Sequence, residues 1–387
     1  GLIIMGSEAG MTGVAEARIT RKKHISPGRM IAVDLTEGKL YEEGEIIDLL
    51  SERHPYTKWL GNMVALDEEI GPGSEPRLYS REELVRRQVA AGMTLEDLEM
   101  ILAPMIEEGK EATGSMGDDA PLAVLSEKYR PLSHFFRQNF SQVTNPPIDP
   151  LRETRVMSLK TRFKNLGNIL AQDETQTDVY VLESPVLTTG MYKRIVEYIG
   201  PKNVAVIDCT MPIPATEARH GDALRAALDR VRAEAEDAAL RGCATIVLTD
   251  EGAGPERLAV PMILATGGVH AHLVSKGLRS YVSLIVRSAE CLDTHYYAVL
   301  IGVGATAVNA YLAQESAQDR LERSLTGELG LRELLLNQKT AIEAGLLKIL
   351  SKMGISVISS YRGGYNFEAV GLSRAMAAEF FPGMPSR

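Results

Sequence analysis

The sequence predicts an α/β chain, and three observations carry that reading. Short apolar runs recur after residue 179, at 179–182, 204–208, 244–250, 281–286, 298–301 and 355–358, each the length of a buried strand. Helical stretches separate most of them, notably 217–240, 258–275 and 331–352, and strand-helix alternation of this kind builds a parallel sheet. The chain is also large enough, at 387 residues with 45% hydrophobic content, to bury two or three cores. Six βα units fall short of the eight of a closed barrel. An incomplete or distorted barrel therefore competes with an open doubly wound sheet, and the barrel is the closer fit.

The elements before this region follow in order. Residues 2–5 read as a strand that ends at Ser7-Glu8-Ala9-Gly10, after which Arg18, Arg21, Lys22 and Lys23 surround a turn at Ser26-Pro27-Gly28. A second strand spans 30–35, Thr36-Glu37-Gly38-Lys39 forms a hairpin-like turn, and 45–53 carries the 3.6 period of a short helix. Ser80-Arg81-Glu82-Glu83 is a capping-box sequence that opens a helix ended by Gly92, and Thr94-Leu95-Glu96-Asp97 opens the next. The helix-turn-helix spacing of 80–111 also suits DNA, but Glu96, Asp97, Glu99, Glu107, Glu108 and Glu111 would repel phosphate from the second helix. Residues 111–153 read as long loop with brief helices. Within it the prolines of 145–150 fix φ, remove donors and leave a stiff, extended stretch with free carbonyls.

Composition excludes some classes of function. A formal net charge of −9, from 51 acidic against 42 basic residues, argues against a general polyanion binder, so no nucleic-acid partner is expected. Cys209, Cys243 and Cys291 lie too far apart to read as a disulfide framework or a CxxC-type metal site. No apolar run reaches the ~18–20 residues that span a bilayer, and the start lacks a basic leader, so the expectation is a reduced, cytoplasmic protein with no membrane partner. The abrupt ends, Gly1-Leu2-Ile3-Ile4-Met5 and Pro385-Ser386-Arg387, read as cuts through a longer polypeptide.

In a parallel α/β fold chemistry gathers past the carboxyl ends of strands, which offers Asp208, Asp250, Glu251, Arg287 and Ser360-Tyr361-Arg362. Two acids and two guanidinium groups suit acid-base work or phosphate capture, and equally suit ion pairing at a solvent-facing edge. His270, His272 and His295 invite a metal, but residues two apart on a helix point about 200° from one another, so His270 and His272 cannot share an ion there. Gly252-Ala253-Gly254 and Gly302-Val303-Gly304 follow apolar runs and could cradle a phosphate, though neither completes GxGxxG, and tight turns explain them as well. The run 346–356 ends a helix with basic residues and Gly354, as the macrodipole and C-cap favour.

Four strings in this order carry a family resemblance: SMGDDAPLAVLS at 115–126, QVTNPPIDPLRE at 142–153, KILSKMGIS at 348–356, and SYRGG at 360–364 with FEAVGL at 367–372. Together they resemble the large subunit of bacterial glutamate synthase. The resemblance covers essentially the whole chain but only about a quarter of that subunit.

It implies the closing strands of an Ntn-type glutamine amidotransferase domain at 1–35, a helical linking region of the central domain at 36–150, and its βα-repeat part at 151–387, ending where an FMN domain begins. The central domain would be an incomplete barrel of six βα units, related to the FMN (βα)8 barrel. The parent enzyme would make L-glutamate from L-glutamine and 2-oxoglutarate, with ammonia passing through an internal tunnel and reduced FMN completing the synthesis. The family's N-terminal cysteine nucleophile and its cysteine cluster for a 3Fe-4S centre have no counterpart here. No catalytic, cofactor-binding or metal-binding residue is therefore expected in this chain, and the isolated chain is expected to be inactive. FMN and 3Fe-4S belong elsewhere in the parent subunit, with FAD and 4Fe-4S in a flavin-containing small subunit if NADPH rather than ferredoxin donates electrons. Expected partners are the amidotransferase and FMN domains of the same polypeptide, that small subunit, and further copies in an oligomer. The family's tunnel constriction maps onto Met116 and Thr144: a thioether can plug a narrow channel, and a proline-stiffened loop can hold a hydroxyl or carbonyl toward ammonia. The competing readings are a self-contained barrel enzyme acting on a small anionic substrate through Asp208, Asp250, Glu251 and Arg287, and a non-catalytic interaction module docking through 80–111.

Overall fold

The computed structural model of the chain describes residues 2–8, 10–71, 74–112, 122–140, 149–216 and 219–387. Two compact units divide it, Gly1–Asn62 and Met63–Arg387.

In the first unit Ala32–Asp34 and Lys39–Tyr41 pair as an antiparallel hairpin, with Gly38 at φ +66° in the turn. Helix Glu43–Ser51 follows, opened by a capping box in which Glu42 and Glu45 each accept from the other's backbone. Ile46 is the one helix residue fully buried. Residues 2–5 do not form the expected strand. They are exposed, Leu2 at 83%, because a strand needs a neighbouring backbone to pair with and none lies beside them among the described residues.

The second unit is built on a parallel sheet of β1 (Val204–Asp208), β2 (Thr245–Thr249), β3 (Ser283–Arg287) and β4 (Ala307–Asn309). Each strand lies beside the next in sequence, with none of the order reversal that marks a doubly wound sheet. The helices are α1 (Thr189–Ile199), α2 (His220–Leu240), α3 (Met262–Ser275), α4 (Thr294–Gly302), α5 (Tyr311–Glu322) and α6 (Leu331–Met353). Strand side chains alternate between two cores. Ile207, Ile246, Leu248, Leu284, Val286 and Val308 pack with α2, α3, α4 and α6 on one face. Val204, Val247, Ile285 and Ala307 meet Leu66, Phe163, Leu182, Ile195 and Ile199 on the other.

Three of the six expected strands stand in this sheet. Residues 180–182 instead join a separate three-stranded sheet with 64–65 and 161–163. Residues 298–301 are helix: α4 is buried on every side, so its sequence is apolar throughout and carries no period by which helix and strand differ. At 355–358 only Val357 makes a bridge, to Ser158, before a helical turn at Ile358–Tyr361. The expected helix start at 258 is too early. Residues 257–259 pair with 210–212, and α3 begins after Pro261.

The helical hairpin forms as expected, with Ser80 accepting from Glu83 N at the start of Arg81–Ala90. Thr94 and Asp97 cap the second helix reciprocally at 2.8 and 3.1 Å, and that helix passes through a π-helical turn at Asp97–Leu102. No helix among the described residues is long and apolar enough to cross a membrane.

Candidate functional site

Parallel pairing sets Asp208, Thr249, Arg287 and Asn309 in one row across the carboxyl ends of the four strands. Arg287 is the centre of that row and is 1% exposed. Its Nε and Nη2 donate to the two oxygens of Glu251 at 3.0 Å each, a bidentate pair, and its Nη1 donates to Asn309 Oδ1 at 2.6 Å. The guanidinium also lies 4.8 Å from the ring centre of Tyr192 and 4.7 Å from that of Tyr311. Burial acts to raise the Glu251 carboxyl, but the Arg287 bonds outweigh it and hold it below its ordinary range. Tyr79 adds a third bond, from its hydroxyl to Glu251 at 3.2 Å.

Asp250, fully buried, faces away from this pair. It accepts from Ala289 N at 2.9 and 3.0 Å and from the Tyr311 hydroxyl at 2.9 Å, and burial pushes its carboxyl up to about 7. Asp208 stands two strands from Arg287, ~10 Å at ordinary strand spacing. It accepts from Arg257 at 2.9 Å and Thr210 at 2.8 Å through one oxygen. Its other oxygen is buried without a partner and sits where a Cβ on Gly252 would come to 2.9 Å. The structure thus brings Glu251 and Arg287 together and separates Asp208 and Asp250 from them. Apart from that one oxygen, each of these groups is satisfied within the fold, Glu251 and Arg287 by each other, Asp208 by Arg257 and Thr210, and Asp250 by Ala289 N and Tyr311.

The other candidates disperse. Ser360, Tyr361 and Arg362 do not end a strand, because 355–358 does not form one; Tyr361 donates to Gln138 at 2.7 Å. His272 bonds Glu236 at 2.6 Å, His270 accepts from Arg279 at 2.9 Å, and His295 meets Ser133 O at 3.0 Å, three separate settings. No three His, Cys, Asp or Glu side chains converge to hold a metal among the described residues. The glycine pairs make room for side chains: Gly302 lies against Phe367, and a side chain at Gly304 would collide with His270.

Met116 and Thr144 lie outside the described residues. The residues that flank both segments are described. Before 141–148, Phe136–Gln138 pairs with Phe367–Ala369, Asn139 N donates to Asn366 O at 3.0 Å, and Lys352 sits 5.7 Å from the Phe140 ring centre. After it, Asp149 caps helix Pro150–Val156, and Ser158 bonds Ser356 and Ile358 at 2.8 and 3.0 Å. Before 113–121, Glu111 lies against Gly345 of α6, where a Cβ would come 2.8 Å from its carboxylate and 2.6 Å from Thr294. After it, Val124 packs on Gly371. Residues 352–371 of the later motifs therefore hold the stems of the QVTNPP loop and the return of the SMGDD loop. Gln138 and Asn366, which build this frame, stand out in no sequence pattern.

These features define an α/β segment whose strand-end acids and arginine are held by partners within the fold. The family described as glutamate synthase central domain matches residues 86–373, and that described as glutamine amidotransferases class-II matches 1–59. The chain is 58% identical over 390 residues to the glutamate synthase [NADPH] large chain of Azospirillum brasilense, covering 100% of this chain and 25% of that one. It is 39% identical over 402 residues to ferredoxin-dependent glutamate synthase 2 of Synechocystis, again 100% of this chain and 25% of that one. The flavin-binding domain of baker's yeast flavocytochrome b2 aligns with 73% of this chain and 90% of its own at 12% identity, with a TM-score of 0.37, a loose likeness. The chain belongs to the glutamate synthase family and contains its central domain. It spans about a quarter of the length of the curated relatives it matches.

Proposed function

We propose that this chain is the central segment of a glutamate synthase large subunit and works as scaffold and ammonia-tunnel wall between a glutaminase site and an FMN synthase site. The parent enzyme makes L-glutamate from L-glutamine and 2-oxoglutarate by reductive amidotransfer. The observation that carries the reading is the shared frame: residues 352–371 brace the stems of the loop bearing Thr144 and the return of the loop bearing Met116. Segments whose described flanks meet one support can keep a constant spacing, which a constriction for a molecule as small as ammonia requires. The strand-end row supports a structural role as well, because Arg287 is paired with Glu251, Asp208 with Arg257, and Asp250 is held by Ala289 N and the Tyr311 hydroxyl.

In this reading residues 1–35 close an Ntn-type amidotransferase domain, 36–150 link, and 151–387 form the βα-repeat part. Its sequentially ordered sheet is an arc of an incomplete barrel related to the FMN barrel that follows. FMN and 3Fe-4S sit elsewhere in the subunit, FAD and 4Fe-4S in a small subunit where NADPH is the donor, and the assembly is a cytoplasmic oligomer. Met116 and Thr144 line the tunnel.

The test is Thr144→Trp in the full-length enzyme, comparing glutamine hydrolysed with glutamate formed from 2-oxoglutarate. Hydrolysis should exceed synthesis at least several-fold. One-to-one coupling with an unchanged rate overturns the assignment.

A further inference from the structure

A basic cluster lies away from the strand-end row and holds no acid among the described residues. Arg279 donates from Nε to His270 Nδ1 at 2.9 Å, from Nη1 to Val282 O at 2.6 Å and from Nη2 to Gly304 O at 2.8 Å. All three acceptors are neutral, so each nitrogen has a partner while the charge has no counter-charge among the described residues. Because Nδ1 accepts, His270 is the neutral tautomer with its proton on Nε2. That nitrogen faces Gly363, where a Cβ would come to 2.8 Å, so the backbone of the 361–366 turn packs directly on the imidazole. The turn is pinned to the end of α4 by Gly363 N to Ile301 O at 3.0 Å and Tyr365 N to Gly302 O at 3.1 Å.

This turn brings two further groups. Arg362, partly buried, meets no acceptor among the described residues. The Tyr365 ring lies edge-on to His270, 5.8 Å between centres, and its hydroxyl is buried with no partner among the described residues. Burial and then the neighbouring Arg362 draw Arg279 down to about 9, and burial followed by both arginines holds His270 near 3. No carboxylate of the described residues is among the charges acting on either. Two guanidinium groups and an orphaned hydroxyl, half-removed from water around a neutral imidazole, are short of one negative group with oxygen acceptors.

We propose that Arg362, Tyr365 and the charge of Arg279 form a receptor for one oxyanion, a carboxylate or phosphate group, beside the carboxyl end of α4. The group would accept from the Arg362 fork and from the Tyr365 hydroxyl, and would neutralise Arg279 without displacing its three bonds. Two sources share this chemistry, a free oxyanion and an acidic side chain from the rest of the parent polypeptide. The proposal is independent of the tunnel assignment.

The experiment is thermal melting of the full-length enzyme at matched ionic strength in sodium chloride and in sodium phosphate, for wild type, Arg362→Met, Arg362→Lys and Tyr365→Phe. With a free oxyanion, phosphate raises the wild-type melting temperature by about 3 °C or more. That rise vanishes in Arg362→Met and shrinks at least twofold in Tyr365→Phe. With a built-in acidic side chain, wild type melts alike in both salts, Arg362→Met melts lower, and Arg362→Lys restores most of the loss. The proposal is overturned if phosphate acts equally on wild type and Arg362→Met. It is also overturned if, without a phosphate effect, Arg362→Met melts as high as wild type or Arg362→Lys restores nothing. Should Arg362→Met fail to fold, Tyr365→Phe decides: a smaller phosphate rise or a lower melting temperature supports the receptor, and neither change overturns it.

Discussion

Two arginines in this molecule, Arg287 fully buried and Arg279 partly so, meet opposite surroundings. Arg287 is held on both edges, by the Glu251 carboxylate and the Asn309 amide, and on both faces by Tyr192 and Tyr311. Arg279 has three neutral acceptors and a second guanidinium for a neighbour. The first arrangement closes on itself, so it braces the carboxyl ends of the sheet and leaves nothing for a ligand. The second is complete only when something outside it arrives. Charge in an α/β domain therefore points to a ligand where it lacks a counter-charge, and the ends of strands are not privileged in this.

The largest test of the contrast is Asp250, a buried strand-end acid that meets no cation among the described residues. Burial raises its carboxyl from the ordinary Asp value to about 7, so between about pH 4 and pH 7 the folded chain holds a proton that the unfolded chain releases. Stability from this group is therefore lost as pH rises through that window, by up to about 4 kcal/mol at ~1.4 kcal/mol per unit. Asp250→Asn removes the titration. Urea midpoints of the variant and wild type should converge near pH 4 and diverge toward pH 7 in favour of the variant; parallel profiles would show that Ala289 and Tyr311 stabilise the charged form fully.

Next in size, Glu251→Gln converts the paired arginine into an analogue of the unpaired one. Arg287 keeps Asn309 and its aromatic faces but loses the counter-charge. Removing one partner of a buried pair costs ~3–5 kcal/mol, and because the Glu251 side chain is 38% exposed the loss here should be about 2–3 kcal/mol. Denaturant unfolding of the variant measures it. A change below ~1 kcal/mol would mean that the stacked tyrosines alone carry the guanidinium.

The sequence was most readable where physics is local. Five-residue β-rich runs at β1, β2 and β3, the hairpin turn at Gly38, and the caps at Ser80 and Thr94 all follow from pattern and turn chemistry. Helix α4 misled because complete burial erases the amphipathic period, and β4 went unread because three residues, Ala307-Val308-Asn309, are too few to show one. At the candidate site, Glu251 and Arg287 could be found as strand-end residues. Tyr79, Tyr192 and the pair Asn309 and Tyr311, which complete the cage, come from three other segments, and no spacing rule links those segments. Arg362 was read as a strand end and proves to belong to a turn. Its importance lies in lacking a partner, which becomes visible only once Arg279 and His270 are placed beside it.

The smallest expected effect is the most selective. Tyr79→Phe removes a single hydroxyl, 3.2 Å from Glu251, and keeps the ring that lies 4.2 Å from the Arg87 guanidinium. Glu251 retains both bonds from Arg287, so no acceptor is orphaned and the cost should be only about 1 kcal/mol. Because the acceptor is part of the fold, that cost should be the same in chloride and in phosphate, whereas the cost of Tyr365→Phe should follow whatever oxyanion occupies its site. Unfolding midpoints of the two variants in both salts make the comparison directly. An anion-dependent cost for Tyr79→Phe would show that the strand-end row is open to ligands after all and would remove the distinction between the two arginines.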